Sequence, residues 1–206
     1  MKYEHIIVGA IETNCYIVYD EKTKECAVID PGAEAQKIIQ LIHKNELKPT
    51  MIINTHGHVD HVGANKELID EYSVPLLIHS ADSPMLDKIE QMELSFFLGA
   101  KNSPPPDKFL VEGEKIVIGS VELEIIHTPG HSPGSVSLMV EDILFSGDTL
   151  FWGGVGRTDL PGGSWNELVR SIKEKILTLP EETLVLPGHG PKTTVDQEKR
   201  ANPFIQ

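Results

Sequence analysis

Cysteine is scarce in this chain of 206 residues, which holds only Cys15 and Cys26. Two cysteines cannot build the multi-bridge framework of a small secreted domain. Both lie in strand-like apolar runs, where a free thiol behaves as a small buried hydrophobe. Positive charge is also sparse: 18 Lys and Arg stand against 31 Asp and Glu, for a net charge of -13. That balance argues against nucleic acid as a partner, since a phosphate backbone calls for clustered Lys and Arg. It equally disfavours an anionic membrane surface. No apolar run approaches the roughly 20 residues of a membrane span. The opening Met1-Lys2-Tyr3-Glu4-His5 lacks the apolar core of a secretory signal. These absences lead to an expectation of a cytoplasmic protein with no membrane partner. There is no low-complexity linker and no short-period repeat, and the chain is long enough to bury a substantial core. A single domain over residues 1–206 is expected.

What is present is an alternation of strand and helix patterns. Ile6–Val8, Cys15–Tyr19 and Cys26–Ile29 read as strands, with Glu12-Thr13-Asn14 in the turn between the first two. Residues 34–46 carry Ile38, Ile39, Leu41 and Ile42 at helical spacing. A strand over 50–54, a helix over 62–72 and a strand over 75–79 follow. Residues 81–110 are irregular, with apolar Met85, Met92, Leu94, Phe96, Phe97 and Leu98 and the run Pro104-Pro105-Pro106. They form either a substrate lid or a helix that covers the core. Strands are expected over 115–118, 121–127, 135–140 and 143–146, and Glu122 and Glu124 give the second of these one wet face. Ser164-Trp165-Asn166-Glu167 is a capping box, and the helix behind it is expected to bury Trp165, Leu168, Val169, Ile172 and Ile176. A strand over 183–186 and a short helix from about 195 complete the chain. This order suits an α/β layer structure of two mixed sheets with helices outside.

The chemistry gathers in Asn54-Thr55-His56-Gly57-His58-Val59-Asp60-His61, where His56, His58, Asp60 and His61 fall within six positions. The apolar Met51-Ile52-Ile53 precedes them, so they sit where a buried strand opens into a loop and then a helix. Such loops at the carboxyl ends of strands line crevices. His56 and His58, two apart, can project to one side, while Asp60 and His61 need not share it. One segment can therefore feed two adjacent metal positions, with the imidazole and carboxylate ligands suited to zinc, iron or manganese. Three further candidates follow strand ends in glycine-rich loops: His131 in Thr128-Pro129-Gly130-His131, Asp148 in Ser146-Gly147-Asp148-Thr149, and His189 in Pro187-Gly188-His189-Gly190. Asp30, also at a strand end, could cap the next helix or orient a ligand histidine. His79 reads as a structural or surface histidine.

The His-x-His-x-Asp-His run, followed in order by His131, Asp148 and His189, resembles the metallo-β-lactamase-fold hydrolases over nearly the whole chain. That resemblance implies a four-layer αβ/βα sandwich. It also implies two divalent metal ions, zinc first, with iron or manganese as alternatives. His56, His58 and His131 would hold one, and Asp60, His61 and His189 the second. Asp148 would bridge them, and Asp60 and Asp148 would be the catalytic carboxylates, acting as ligands rather than bases.

The runs Gly147-Asp148-Thr149-Leu150-Phe151 and Gly156-Arg157-Thr158-Asp159 are similar to the hydroxyacylglutathione hydrolases (glyoxalase II), and the ending from Leu186 to Phe204 to the short bacterial members. The family's C-terminal helical domain, which carries part of the glutathione site, has no room here, and Asp159 stands where many members have tyrosine. What the resemblance implies is hydrolysis of a small-molecule thioester such as S-acylglutathione by a metal-bridging hydroxide, in a monomer or homodimer. Arg157, Thr158 and Asp159 would meet the substrate, although Arg157 could instead form a structural ion pair with Asp159. The persulfide dioxygenases share the Gly-Arg-Thr-Asp run and are the alternative: a single non-haem iron at the first site, and oxidation rather than hydrolysis.

Overall fold

The computed structural model describes residues 1–91 and 93–205. Met92 and Gln206 lie outside it, as do the side chains of Glu93 and Leu94. The chain begins with β1 (Lys2–Val8), β2 (Thr13–Tyr19) and β3 (Glu25–Ile29), each antiparallel to the one before. Helix α1 (Ala35–Lys44) leads to β4 (Lys48–Ile53), parallel to β3. Helices α2 (Val59–Val62) and α3 (Asn65–Tyr72) precede β5 (Leu76–His79), and a 3-10 stretch (Ser83–Gln91) and α4 (Glu93–Leu98) precede β6 (Lys108–Leu110). These six strands form one sheet in chain order, the last three pairings being parallel.

Strands β7 (Lys115–Ile118), β8 (Val121–His127), β9 (Val136–Val140) and β10 (Ile143–Gly147) then run as an antiparallel meander. A small hairpin, β11 (Leu150–Phe151) with β12 (Gly154–Val155), leads to α5 (Trp165–Ser171), which continues into a π-helical turn (Ile172–Ile176). The chain ends with β13 (Leu184–Pro187), β14 (Thr193–Thr194) and α6 (Val195–Ala201). The second sheet has the order β14-β13-β10-β9-β8-β7, with β13 parallel to β10.

Alternation along the strands explains the layers. Every residue of β2 is buried. Tyr16 and Val18 face the second sheet and meet Phe145, Leu138 and Leu186, while Cys15, Ile17 and Tyr19 face Ile38, Ile42 and Leu68 of α1 and α3. On the far side of the second sheet, Leu144 and Val185 pack against Leu168 and Ile172 of the α5 segment and Val195 of α6. The result is helices, sheet, sheet, helices: the four-layer sandwich of two mixed sheets that the sequence led us to expect. Cys15 and Cys26 are free and buried, and burial pushes the Cys26 thiol up to about 12.

Several local expectations need correction. The expected helix over 62–72 is two helices, because the Ala64 amide donates to the Pro31 carbonyl (2.9 Å) and interrupts the run. Asn14 is not in a turn but in β2, wholly buried, since β1 pairs with β2 back to Val8 and Thr13. Trp165 is 45% exposed at the start of α5, beside Phe204, rather than buried. Ser164 does cap that helix, accepting from the Glu167 amide. The stretch over 81–110 is a cover for the core in part, with Leu86 and Ile89 buried. Strands β6, β11, β12 and β14 were not anticipated; two or three residues carry no readable period.

The two sheets are joined by polar ties at one end. The Val136 amide donates to the Thr55 carbonyl (2.8 Å). Asn14 Nδ2 donates to the carbonyls of Pro187 and Gly190 (both 2.9 Å), its amide to the Gly188 carbonyl (2.7 Å), and Tyr16 Oη to the Pro187 carbonyl (2.8 Å). Asn14→Ala would remove one of the two side-chain donors to the buried Pro187 carbonyl and the donor to the carbonyl of exposed Gly190. Two hydrogen bonds at about 0.5–1.5 kcal/mol each put the cost at about 1–3 kcal/mol. At about 2–4 °C of Tm per kcal/mol for a domain of this size, thermal unfolding should drop by several degrees. A Tm equal to that of the unsubstituted protein would show that this tie does not hold the sheets together.

Candidate metal centre

Each candidate ligand stands just beyond the carboxyl end of a strand, at the end of the sandwich where these ties lie. β4 delivers His56 and His58, and α2, opening directly after them, carries Asp60 and His61. His131 follows β8, Asp148 follows β10, and His189 follows β13. β8, β10 and β13 all run in one direction, because β9 is antiparallel to both β8 and β10 while β13 is parallel to β10. Topology thus converts positions far apart in the chain into one cluster.

The ligand atoms form two sets. Those of His56, His58 and His131 all lie within 4.8 Å of one another, and so do those of Asp60, His61 and His189. In the first set His58 Nδ1 is 2.8 Å from His131 Nε2, which is 3.3 Å from His56 Nε2. In the second, His189 Nε2 is 3.3 Å from His61 Nε2 and 3.1 Å from Asp60 Oδ2. Asp148 stands between them, with Oδ1 3.3 Å from His61 Nε2 and Oδ2 3.6 Å from both His131 Nε2 and His189 Nε2.

Outer partners fix which nitrogen faces the centre. His131 Nδ1 donates to the Arg157 carbonyl (2.8 Å), so its Nε2 lone pair points inward. His61 Nδ1 donates to Asp30 Oδ2 (3.0 Å). Asp30 also accepts from the Thr55 amide (2.7 Å) and hydroxyl (2.6 Å), and the Thr55 oxygen lies 3.1 Å from His56 Nδ1. Asp30 therefore orients the ligands; the position that caps α1 is Glu34. Asp82, which the sequence did not single out, has the same role on the other side. Wholly buried, it accepts from the Gly57 amide (2.9 Å), the Ser132 hydroxyl (2.6 Å) and the Gly134 amide (2.6 Å), clamping the His56–His58 loop to the His131 loop. The available signal was an acid shortly after a strand end, the same setting as Asp30.

The electrostatics of the two sets differ. Burial, then neighbouring His61 and His131, hold His56 well below the ordinary histidine range. Burial, then His131, take His58 down to about 4. Burial also opposes charge on His61, but Asp148, Asp60 and Asp30 outweigh it and raise its pKa well above the usual range. His189 is raised as well, its burial outweighed by the hydrogen bond with Asp60 and the charge of Asp148. Burial works against ionised Asp60 and Asp148, yet His61 and His189 hold both below the ordinary carboxylate range. In the first set His56 and His58 are held toward the neutral imidazole, and in the second carboxylates are balanced against histidines whose affinity for protons is raised.

Metal fits this arrangement. Asp148 Oδ1 is buried with no hydrogen-bond partner among the described residues, although His61 Nε2 faces it. A methyl group at Gly188 would collide with that same oxygen and approach His61 Cε1 to 2.7 Å, so only glycine leaves the space open. Five imidazoles and two carboxylates are the donor set of zinc or of non-haem iron and manganese.

The centre opens into a cavity of about 950 Å³. His58, Asp60, His131, Asp148 and His189 line it, with Ile11, Phe151, Val155 and Leu160 as apolar wall, and Arg157 also borders it. Arg157 is bound in bidentate fashion by Asp159, Nε to Oδ1 at 2.7 Å and Nη2 to Oδ2 at 2.8 Å, on the exposed surface. Thr158 and Asp159 do not line the cavity. His79 lies apart from the centre, stacked on His127 with ring centroids 4.2 Å apart.

Comparison with known proteins agrees with this geometry. Residues 8–189 match the metallo-beta-lactamase superfamily. A probable metallo-hydrolase of Bacillus subtilis, YqgX, is 43% identical over 208 residues, 100% of this chain and 98% of its own. The hydroxyacylglutathione hydrolase GloC of Haemophilus influenzae is 38% identical, over 100% of this chain and 98% of its own. Among solved structures, the BLEG-1 B3 metallo-beta-lactamase superposes with a TM-score of 0.92 at 40% identity, covering 99% of both chains. TTHA1623 in a di-iron-bound form gives 0.90 at 38% identity, over 98% of this chain and 99% of its own. ETHE1 from Myxococcus xanthus gives 0.83 at 28% identity, over 98% and 84%. No helix among the described residues is long and apolar enough to cross a membrane. A match of this extent, reached through sequence and through three-dimensional arrangement alike, makes the chain a member of the metallo-beta-lactamase superfamily.

Proposed function

We propose that this chain is a metal-dependent thioester hydrolase with S-acylglutathione, or a similar thiol ester, as its substrate. The observation that carries the hydrolytic part is Asp148, a buried carboxylate with an oxygen that accepts no hydrogen bond among the described residues, standing between two complete ligand sets. The thioester part is supported by the 38% identity with the hydroxyacylglutathione hydrolase GloC over essentially all of both chains. The same proposal includes one catalytic domain, a small-molecule partner, a cytoplasmic setting and a monomer or homodimer.

His56, His58 and His131 would hold one divalent cation, Asp60, His61 and His189 a second, and Asp148 both. Such cations, zinc foremost, supply Lewis acidity and bring the pKa of coordinated water toward 7. The protein's own part is to keep the donors in place and the site dry. Asp30 and the Arg157 carbonyl hold His61 and His131 in the ligating tautomer. The apolar wall keeps bulk water from the reacting carbonyl. Asp60 and Asp148 stay ionised as ligands. A thiolate leaves readily, so no separate general acid is required. At the rim, Arg157 would clamp a substrate carboxylate by turning its guanidinium away from Asp159.

The likeness to ETHE1 supports a second reading, a persulfide dioxygenase with one iron at the first set. The complete second set favours hydrolysis over it. Purified protein should hold more than one equivalent of zinc, iron or manganese and should cleave S-lactoylglutathione equally under air and nitrogen. His58→Ala should lose metal from the first set, and turnover with it. Strict oxygen consumption with a persulfide and no thioesterase activity would assign the dioxygenase instead, and activity on a chromogenic cephalosporin alone would assign the chemistry of BLEG-1.

Arg157→Ala should raise KM for a glutathione thioester by about ten- to a hundredfold, the worth of one hydrogen bond between charged groups, and alter an uncharged thioester far less. Asp159→Ala, which frees the guanidinium, should leave KM for the glutathione thioester equal or lower. Equal loss on both substrates in Arg157→Ala, with unchanged metal content, would make the Arg157–Asp159 pair structural.

A further inference from the structure

A second cavity, of about 470 Å³, opens beside the metal centre. It shares His58, Leu160 and Pro161 with the larger one, so the two are lobes on either side of one metal-ligand histidine. Ala81, Pro84, Met85 and Pro133 complete it, and apart from His58 and Lys88 its lining side chains are apolar. Among the described residues no carboxylate lines it, whereas Asp60 and Asp148 line the larger lobe.

This smaller lobe is firmly built. Asp82 fixes both of its walls, since the same carboxylate holds Gly57 on one side and Ser132 and Gly134, which flank Pro133, on the other. Met85 packs directly on the ligand loop: a methyl at Gly57 would stand 3.0 Å from Met85 Sδ and 3.1 Å from its Cβ. The Met85 amide also donates to the Asp82 carbonyl (2.9 Å). An apolar surface held open next to a reacting centre is a binding lobe that needs little reorganisation.

A thioester has two arms, one on each side of the carbonyl, and the centre has two lobes of different character. The larger, with Arg157 at its edge, suits a thiol carrier bearing carboxylates. The geometry points to the smaller lobe as an acyl pocket, so that this enzyme prefers thioesters of medium-chain or aromatic acids over those of two or three carbons. This inference rests on the thioesterase reading and adds the acyl class to it.

The test is an acyl series on one thiol, from acetyl through butyryl to hexanoyl and phenylacetyl, turned over by the metal-loaded enzyme. kcat/KM should rise roughly fourfold per added methylene over the first few, the gain from moving a methylene out of water. Ala81→Phe, at the exposed edge of the lobe, should collapse the hexanoyl-to-acetyl ratio toward one while metal content stays the same. Octanoate and acetate binding, measured by calorimetry on both proteins, gives a readout that needs no turnover. Octanoate should bind the unsubstituted enzyme more tightly than acetate does, and lose that advantage in Ala81→Phe. If thioesters are cleaved with no dependence on chain length, the acyl pocket is wrong and the thioesterase reading stands. If no thioester is cleaved but the octanoate advantage appears and is lost in Ala81→Phe, the lobe is an apolar-chain site and the thioesterase reading falls. A flat series in both turnover and binding overturns the pocket, as does an Ala81→Phe effect on self-association alone, which would mark this face as a contact between copies.

Discussion

Imidazole nitrogens and carboxylate oxygens that crowd one another away from water are an unfavourable arrangement, and the rest of this structure is organised to impose it. His58 Nδ1 and His131 Nε2 face each other at 2.8 Å, and His61 and His189 at 3.3 Å. In the second set Asp148, Asp60 and Asp30 raise the pKa of His61, and Asp60 and Asp148 raise that of His189, against the burial of both rings. In the first set burial does the reverse and lowers the pKa of His56 and His58. Both sets direct ring nitrogens inward, toward one another and toward Asp148. Burying such groups is costly unless something pairs them, and a divalent cation is what this donor set pairs with.

That arrangement needs a rigid frame, and three buried polar side chains provide much of it. Asp30 reaches from the end of β3 to Thr55 and His61, Asp82 from the turn after β5 to Gly57, Ser132 and Gly134, and Asn14 from β2 to the loop of His189. Each binds one ligand loop to another element, and Asn14 does so across the two sheets. Hydrogen bonds to a buried carboxylate are stronger than those between neutral groups, which suits parts that must not move. The apolar layers on either side then set the distance between the two sheets, and so between the ligand loops.

The ligands were legible in the sequence because their signal is local. His56, His58, Asp60 and His61 follow a short apolar run, and His131, Asp148 and His189 each follow a strand in a glycine-rich loop. The layer order was legible for a similar reason, since strand and helix periods are read over a few residues. Asn14 and Asp82 were not legible. Their partners lie up to 176 and 52 residues away, and the one local signal, the place of Asp82 shortly after a strand end, does not tell which loops it ties. Trp165 misled because helical spacing places it on the apolar face, whereas it occupies the first helical position, where the chain has only begun to meet the sheet. The cavity beside His58 was likewise invisible, as it is made by pieces of four separate segments that only folding brings together.

The measurement that bears most directly on this account is anomalous X-ray scattering from crystals of the protein grown with its bound metal. The account predicts two peaks per chain, one among His56, His58 and His131, the other among Asp60, His61 and His189, with Asp148 adjacent to both. Data from active protein with no peak in this cluster, or with metal held only by residues elsewhere, would contradict it.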